Sequence, residues 1–190
     1  MLLPRLRART ADLHEKVERA VGLTERLGSV ESYTALLARN YGFYRPLEAR
    51  LVGIEGYAAA GIDLTPRLKT SLLRDDLLAL GQPADVIDRL PTCTSLPEPH
   101  DLGGAFGCLY VLEGATLGGQ FVRKEIKRVF GLEAGTGCSF YASYGDAVGP
   151  MWRSFCASLE EYARLHPEQE DATSKAAVAT FAAFETWFSS

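Results

Sequence analysis

The sequence predicts an all-α protein of one domain. Three observations carry this. Apolar residues recur at three- and four-residue steps over long stretches. No stretch keeps the period-two alternation of a half-buried strand. Prolines and glycines fall at helix-length intervals, where helices start and stop. The chain has 190 residues, which suits a single domain spanning 1–190. A domain of that size buries roughly 70% of its unfolded surface, enough for a core without staples.

The elements follow in order. Residues 2–21 form an amphipathic helix with Leu3, Leu6, Thr10, Leu13, His14, Val17 and Val21 on one face. Arg5, Arg9, Asp12, Lys16 and Arg19 fall mainly on the other. A second helix covers about 30–55, with the stripe Tyr33, Leu36, Leu37, Tyr41, Tyr44, Leu47 and Leu51. Pro46 lies inside it and predicts a kink or break. Thr65-Pro66 reads as an N-cap followed by proline at the first helical position, opening a helix that runs to Leu80 and is capped by Gly81. A short helix is expected at 83–90, then a proline-rich connection at 91–100. A long helix covers 101–131 and ends at Gly131, followed by a loop over 132–142. Helices near 144–165 and 168–188 close the chain, with Pro167 between them.

Composition excludes several classes. Hydrophobic residues make up 47% and charged residues 23%, an ordinary globular balance. The net charge of −4 gives no field that draws the chain to nucleic acid or an anionic membrane. No apolar run is long enough for a bilayer span, and MLLPRLRART lacks the apolar core of a signal peptide. A cytoplasmic location is expected. Cys93, Cys108, Cys138 and Cys156 are widely spaced and form no CxxC pair, so free thiols are expected rather than zinc or a disulfide framework.

The long helix is the unusual element. It holds Gly103, Gly104, Gly107, Gly114, Gly118 and Gly119, and each interior glycine disfavours a helix by about 1 kcal/mol relative to alanine. Gly107, Gly114 and Gly118 are seven and four residues apart and share a face. Two readings fit. Small residues let another helix pack closely, or they let the backbone approach a planar ligand, with the helix bending at Gly118-Gly119.

Of three histidines, His100 and His166 sit in a loop and at a helix end, where solvation is expected. His14 lies on the apolar face of the first helix. Such a histidine is either a hydrogen-bonded core residue or a ligand. Glu18, four residues on, shares its face and can reach the ring. A metal-bound histidine commonly gives its second N–H to such a carboxylate. One histidine is too few for zinc and sufficient for haem iron. Haem is flat and suits a glycine-lined helix on its other side.

These residues stand in three segments: LRARTADLHEKVE (6–18), LYVLEGATLGGQFVRKEI (109–126) and YGDAVGPMWRSFCASLE (144–160). In this order and spacing they resemble the haem oxygenases, particularly the bacterial biliverdin-producing branch. The resemblance implies a single-domain haem oxygenase-like fold, with haem b between a proximal helix and a kinked distal helix. It implies that His14 is the proximal iron ligand and Glu18 its neighbour. Gly114, Gly118 and Gly119 match glycines of the distal helix, and Leu117 lies in the same cofactor-contacting stretch. Arg7 and Arg153 match basic positions near the haem propionates, and Tyr110 matches a propionate-side tyrosine. Read as residues alone, the arginines are ordinary surface charge and the tyrosine is core packing. Phe181 of the last helix is either a haem contact or helical core. Where mammalian-type members carry an aspartate after the first of these glycines, this chain has Ala115. Proton supply is then expected from ordered water, and the residues holding it stay open.

The resemblance implies oxidation of haem to biliverdin with release of iron and carbon monoxide, using molecular oxygen and haem as both cofactor and substrate. No dinucleotide fingerprint or iron–sulfur pattern supplies electrons, so a ferredoxin or flavin reductase is the expected donor. Arg123, Lys124, Lys127 and Arg128 form a basic patch beyond the glycines. It is either a solvated helix end that complements the macrodipole or, as the resemblance implies for Arg123 and Lys124, the donor's docking site. Biliverdin can serve iron acquisition or pass to a phytochrome. Two other readings stand beside this one: a non-catalytic haem carrier or sensor, and a thiaminase-like enzyme on the same architecture using Cys108 or Cys138.

Overall fold

The computed structural model describes residues 1–189. Among them every regular element is helical. Helix α1 (Leu3–Val21) is followed by a single turn, α2 (Leu23–Arg26), and then by α3 (Val30–Val52). Helices α4 (Thr70–Ala79) and α5 (Ala84–Asp88) are short. The longest helix, α6 (Leu102–Phe130), precedes the turn-length α7 (Ser139–Ala142). Helices α8 (Val148–Leu165) and α9 (Glu170–Ser189) complete the chain.

Helix α9 is the structural hub: α6 and α1 both lie along it. Helix α6 also meets α7 and α8, and α3 meets α4. The core mixes leucine with aromatic side chains. Phe43 and Phe184 have ring centroids 4.5 Å apart, Phe184 stacks on Phe188 at 4.6 Å, and Phe106 meets Tyr162 at 4.9 Å. Such pairs add to plain area burial.

The helix ends show how the sequence sets the boundaries. Helix α1 has no side-chain cap of its own. The carboxylate of Glu160 on α8 takes the Leu2 and Leu3 N–H groups at 2.9 and 2.7 Å, which satisfies donors a helix start leaves open. Ser29 and Ser32 form a reciprocal capping box on α3. Asp101 accepts the Gly104 N–H at 2.8 Å and caps α6, which ends at left-handed Gly131.

Two boundary expectations are corrected. Helix α3 runs through Pro46 without a break. Proline there removes the donor for the Gly42 carbonyl, and the Cys93 N–H supplies it instead at 2.9 Å. The proline-rich connection thus docks on α3. It comes so close that a β-carbon on Gly42 would lie 2.3 Å from the Pro91 carbonyl oxygen. The second correction concerns 65–80, which is not one helix. Thr65–Arg67 is a 3-10 turn, Leu68 is extended, and α4 starts only at Thr70. The reason is a cap from another element: Glu48 of α3 accepts from the Lys69 N–H (2.6 Å), the Thr70 N–H (3.0 Å) and the Thr70 hydroxyl (2.6 Å). The expected loop at 132–142 also contains α7, whose first N–H groups are held by buried Asp76 at 2.7 and 2.8 Å.

Helix α6 stays continuous through Gly118 and Gly119. Its first glycines are packing positions. A β-carbon on Gly107 would lie 2.2 Å from the Thr173 carbonyl oxygen and 2.8 Å from Ala176, so α6 and α9 touch backbone to backbone there.

Candidate functional site

A cleft of about 300 Å³ opens between α1 and α6, at the lower end of the roughly 300–1,000 Å³ usual for ligand sites. Helix α1 contributes Arg7, Thr10, His14 and Val17. Helix α6 contributes the stretch from Tyr110 to Leu112, with Gly114, Ala115 and Leu117. Tyr44 of α3, Trp152 of α8, and Phe181 and Phe184 of α9 complete the walls. A larger groove of about 620 Å³ lies between the 56–61 turn and α8. It gathers mostly alanine and leucine side chains with Tyr162, Glu161 and His166, and none of the residues expected at the site. Chemistry therefore favours the smaller cleft.

His14 presents its ring to the cleft, with 58% of the side chain accessible. Phe181 backs it edge-on at a centroid distance of 6.0 Å. Phe181 is thus both core, at 6% exposure, and cleft wall. Glu18 lies 3.5 Å from His14 Nδ1, a contact distance rather than a formed hydrogen bond. Both side chains are well exposed, so this pair is weak in the free protein.

The glycines divide by direction. A β-carbon on Gly118 would meet nothing within 4 Å, and one on Gly114 would meet only Trp152 at 3.8 Å. Both positions leave backbone open, but only Gly114 lines the cleft; Gly118, expected there, is exposed and outside the lining, one residue past the rim residue Leu117. Gly119 is different: it is buried and its missing side chain points to Tyr141, 3.5 Å from that residue's carbonyl oxygen. It belongs to the back of α6 rather than to the cleft. Arg153 is exposed, outside the cleft lining, with a guanidinium nitrogen 3.3 Å from the β-carbon position of Gly149. Arg7 and Tyr110 do reach the lining. Burial raises the Tyr110 phenol pKa, opposed by Thr10 and by the Arg7 charge. Leu117 is 39% exposed at the rim.

Sequence reading placed Tyr44 in a helical stripe and passed over Thr10, Val17, Trp152 and Phe184 as site residues. Their signal is ordinary helical periodicity: Thr10 and Val17 share the His14 face of α1, and the packing of α3, α8 and α9 brings Tyr44, Trp152 and Phe184 to the cleft. The cysteines offer no nucleophile. Burial pushes the Cys108 and Cys138 thiols up to about 11, and neither lines the cleft. That disfavours thiolate chemistry. Of the basic patch, Lys127 pairs with Glu133 and Arg128 with Glu125, while Lys124 is exposed. No described helix is long and apolar enough to cross a membrane.

The arrangement defines a helical protein that presents one histidine across a cleft from exposed helix backbone. A flat ligand carrying its own metal fits this donor set: a single accessible imidazole, an open glycine face opposite, and Arg7 at the edge. Comparison with known proteins is direct. The family model for heme oxygenase matches residues 1–190, and the chain belongs to that family. It is 32% identical over 162 residues to a heme oxygenase of Xanthomonas campestris pv. campestris, covering 82% of this chain and 88% of that protein. It is 29% identical over 180 residues to heme oxygenase PigA of Pseudomonas aeruginosa, covering 95% and 87%. The NO- and CO-bound heme oxygenase of Neisseria meningitidis has the same fold, with a TM-score of 0.80 at 24% identity over 99% of this chain and 90% of that one.

Proposed function

We propose that this protein is a haem oxygenase that opens haem to biliverdin, with release of iron and carbon monoxide and with electrons from a separate donor. One observation carries the reading: His14 shares a cleft walled by aromatic side chains with the open α6 backbone at Gly114. Bound haem would supply the iron that binds and reduces molecular oxygen, and also the ring that is oxidised.

The chain's own groups then have distinct tasks. His14 would hold the haem iron through its accessible imidazole. Its contact with Glu18 is exposed and loose, so the imidazole gains little extra basicity from it. A weakly basic proximal ligand limits the electronic push that thiolate-ligated haem proteins use. Gly114 leaves room in the cleft beside the backbone of α6, where a side chain would crowd the bound ring. Arg7 places a cation at the α1 side, suited to a carboxylate substituent. Tyr110, with its phenol held protonated by burial, is a hydrogen-bond donor on the same side. The lining holds no aspartate, glutamate or second histidine. Protons therefore come through ordered water and hydroxyl groups such as that of Tyr44. The electron donor, a ferredoxin or a flavin reductase, docks at Arg123 and Lys124. We place the protein in the cytoplasm, with biliverdin going to iron acquisition or to a phytochrome.

The test is optical. Haemin is added, followed by an electron donor and oxygen. Loss of the Soret band with growth of the red biliverdin band is expected. In His14→Ala, both haemin affinity and conversion fall by about tenfold or more, the scale at which even an outer-shell partner of a ligand matters. A wild-type complex that forms and never turns over overturns the enzyme reading in favour of a carrier. Equal conversion by His14→Ala overturns the ligand assignment.

A further inference from the structure

Glu113 stands directly before Gly114 and is 1% exposed. Its side chain does not line the cleft. Successive helical residues diverge by about 100°, so Glu113 grips the back of α6 while Gly114 opens to the front. Both carboxylate oxygens are taken by distant elements. Arg67 Nη1, from the 3-10 turn, donates to Oε2 at 2.5 Å. The Tyr144 hydroxyl, from the turn after α7, donates to Oε1 at 2.6 Å. Lys69 Nζ sits 3.5 Å from the centroid of the Tyr144 ring and donates to the Pro66 carbonyl at 2.9 Å.

This cluster is an inefficient way to gain stability. A buried ion pair largely cancels against the desolvation of its charges, and apolar residues of similar volume hold a fold as well or better. Arg67 Nε is buried without a hydrogen-bond partner, as is the Ser143 hydroxyl. Ser143 also has φ 48 and ψ −115, a conformation that suits glycine, and such strain is worth roughly 1–3 kcal/mol. What these expenses achieve is placement. Ser143 turns the chain so that Tyr144 reaches Glu113. Gln120, two turns further along α6, points its side-chain amide at the carbonyls of the same turn, 3.4 Å from Tyr141 and 3.5 Å from Ala142.

We propose that the Arg67–Glu113–Tyr144 cluster is a positioning device that fixes the rotation and height of α6 at Gly114, and so sets the room between its backbone and a ligand on the haem iron. The proposal rests on the haem oxygenase reading above. Glu113 and Tyr144 act through the backbone and are positioning residues.

The experiment uses full-length protein loaded with haemin, with azide as the probe. With His14 holding the iron, azide would take the remaining position, and its dissociation constant would read the room left by α6 at Gly114. In Tyr144→Phe and Glu113→Gln, the azide dissociation constant shifts about three- to tenfold, while haemin affinity and helical circular dichroism stay at wild-type values. The proportions of biliverdin isomers shift with it. Tyr144→Phe removes one hydroxyl and keeps the ring, so it carries the test if Glu113→Gln fails to fold. Unchanged azide binding in a folded, haemin-loaded Tyr144→Phe overturns the proposal and leaves the enzyme reading intact. Failure of the wild type to bind haemin overturns both.

Discussion

Gly107 and Gly118 lie on the same helix, three turns apart. At Gly107 an added methyl would strike the Thr173 carbonyl and the Ala177 nitrogen of α9. At Gly118 it would meet open space. Both disfavour the helix locally by a similar amount, so neither is there for the helix. The first half of α6 is glycine-rich because a second backbone presses on it. At Gly118 no backbone does. Helical spacing puts both on one face and cannot separate these causes. What separates them is α9, whose backbone presses on Gly107 and leaves Gly118 open.

This contrast sets opposite signs for the same substitution. Gly107→Ala gives the largest expected loss, about 2–3 kcal/mol from overpacking against backbone that cannot move aside. Haemin binding falls only as far as the fold does, and a denaturant midpoint equal to wild type would break the contrast at once. Gly118→Ala runs the other way, with stability rising by up to about 1 kcal/mol from helix propensity. Gly118→Leu also folds, and on the proposed reading haem conversion drops by about tenfold or more, because a side chain would be added to α6 directly beside the rim residue Leu117. Full activity in a folded Gly118→Leu protein would remove the open half of α6 from the site. Glu18→Gln tests the proximal side. Because that contact is long and exposed, haemin affinity should change by less than about tenfold, below the usual range for outer-shell partners. A larger loss would show that the pair tightens when the site is filled.

The smallest effect concerns the cluster behind the open half. Burial lowers the Lys69 pKa from 10.5 to about 8, against the pull of Glu113 and Glu48. Between those values the unfolded chain binds more protons than the folded one, so this group's contribution to stability increases with rising pH. Below about pH 8 the lysine is charged in both states and the contribution is flat. Comparing urea midpoints of wild type and Lys69→Met across pH 7 to about 10.5 isolates the slope. The difference between the two proteins should change only above about pH 8, and a constant difference would show that Lys69 keeps its ordinary proton affinity.

Much of the fold was legible because α1, α3, α6, α8 and α9 are long and each carries its own periodic face. What escaped depends on partners far along the chain. Thr65 looks like an N-cap, and the true cap of α4 is Glu48 on another helix. Glu113 lies within 109–126 and carries no local signal, because its partners lie 46 residues before and 31 after it. The candidate site divides in the same way. His14, Arg7, Tyr110, Gly114 and Leu117 sit on two self-evident helices and meet in one cleft. Gly119 and Arg153 share those segments, yet helical rotation and side-chain direction carry them elsewhere. Tyr44 and Trp152 reach the cleft only through tertiary packing.

The proline in α3 has a consequence for how this chain tolerates change. By withholding one donor, Pro46 leaves the Gly42 carbonyl for Cys93, and the helix's defect becomes a mooring for the segment that leads into α6. Pro46→Ala would repair the helix and, in the same stroke, set a local donor competing for the carbonyl that holds that segment. An apparently improving mutation would then loosen the approach to the glycine-rich helix. Gly42, Pro46 and the 91–93 backbone are one unit of inheritance, and a change at any of them is a change to all three.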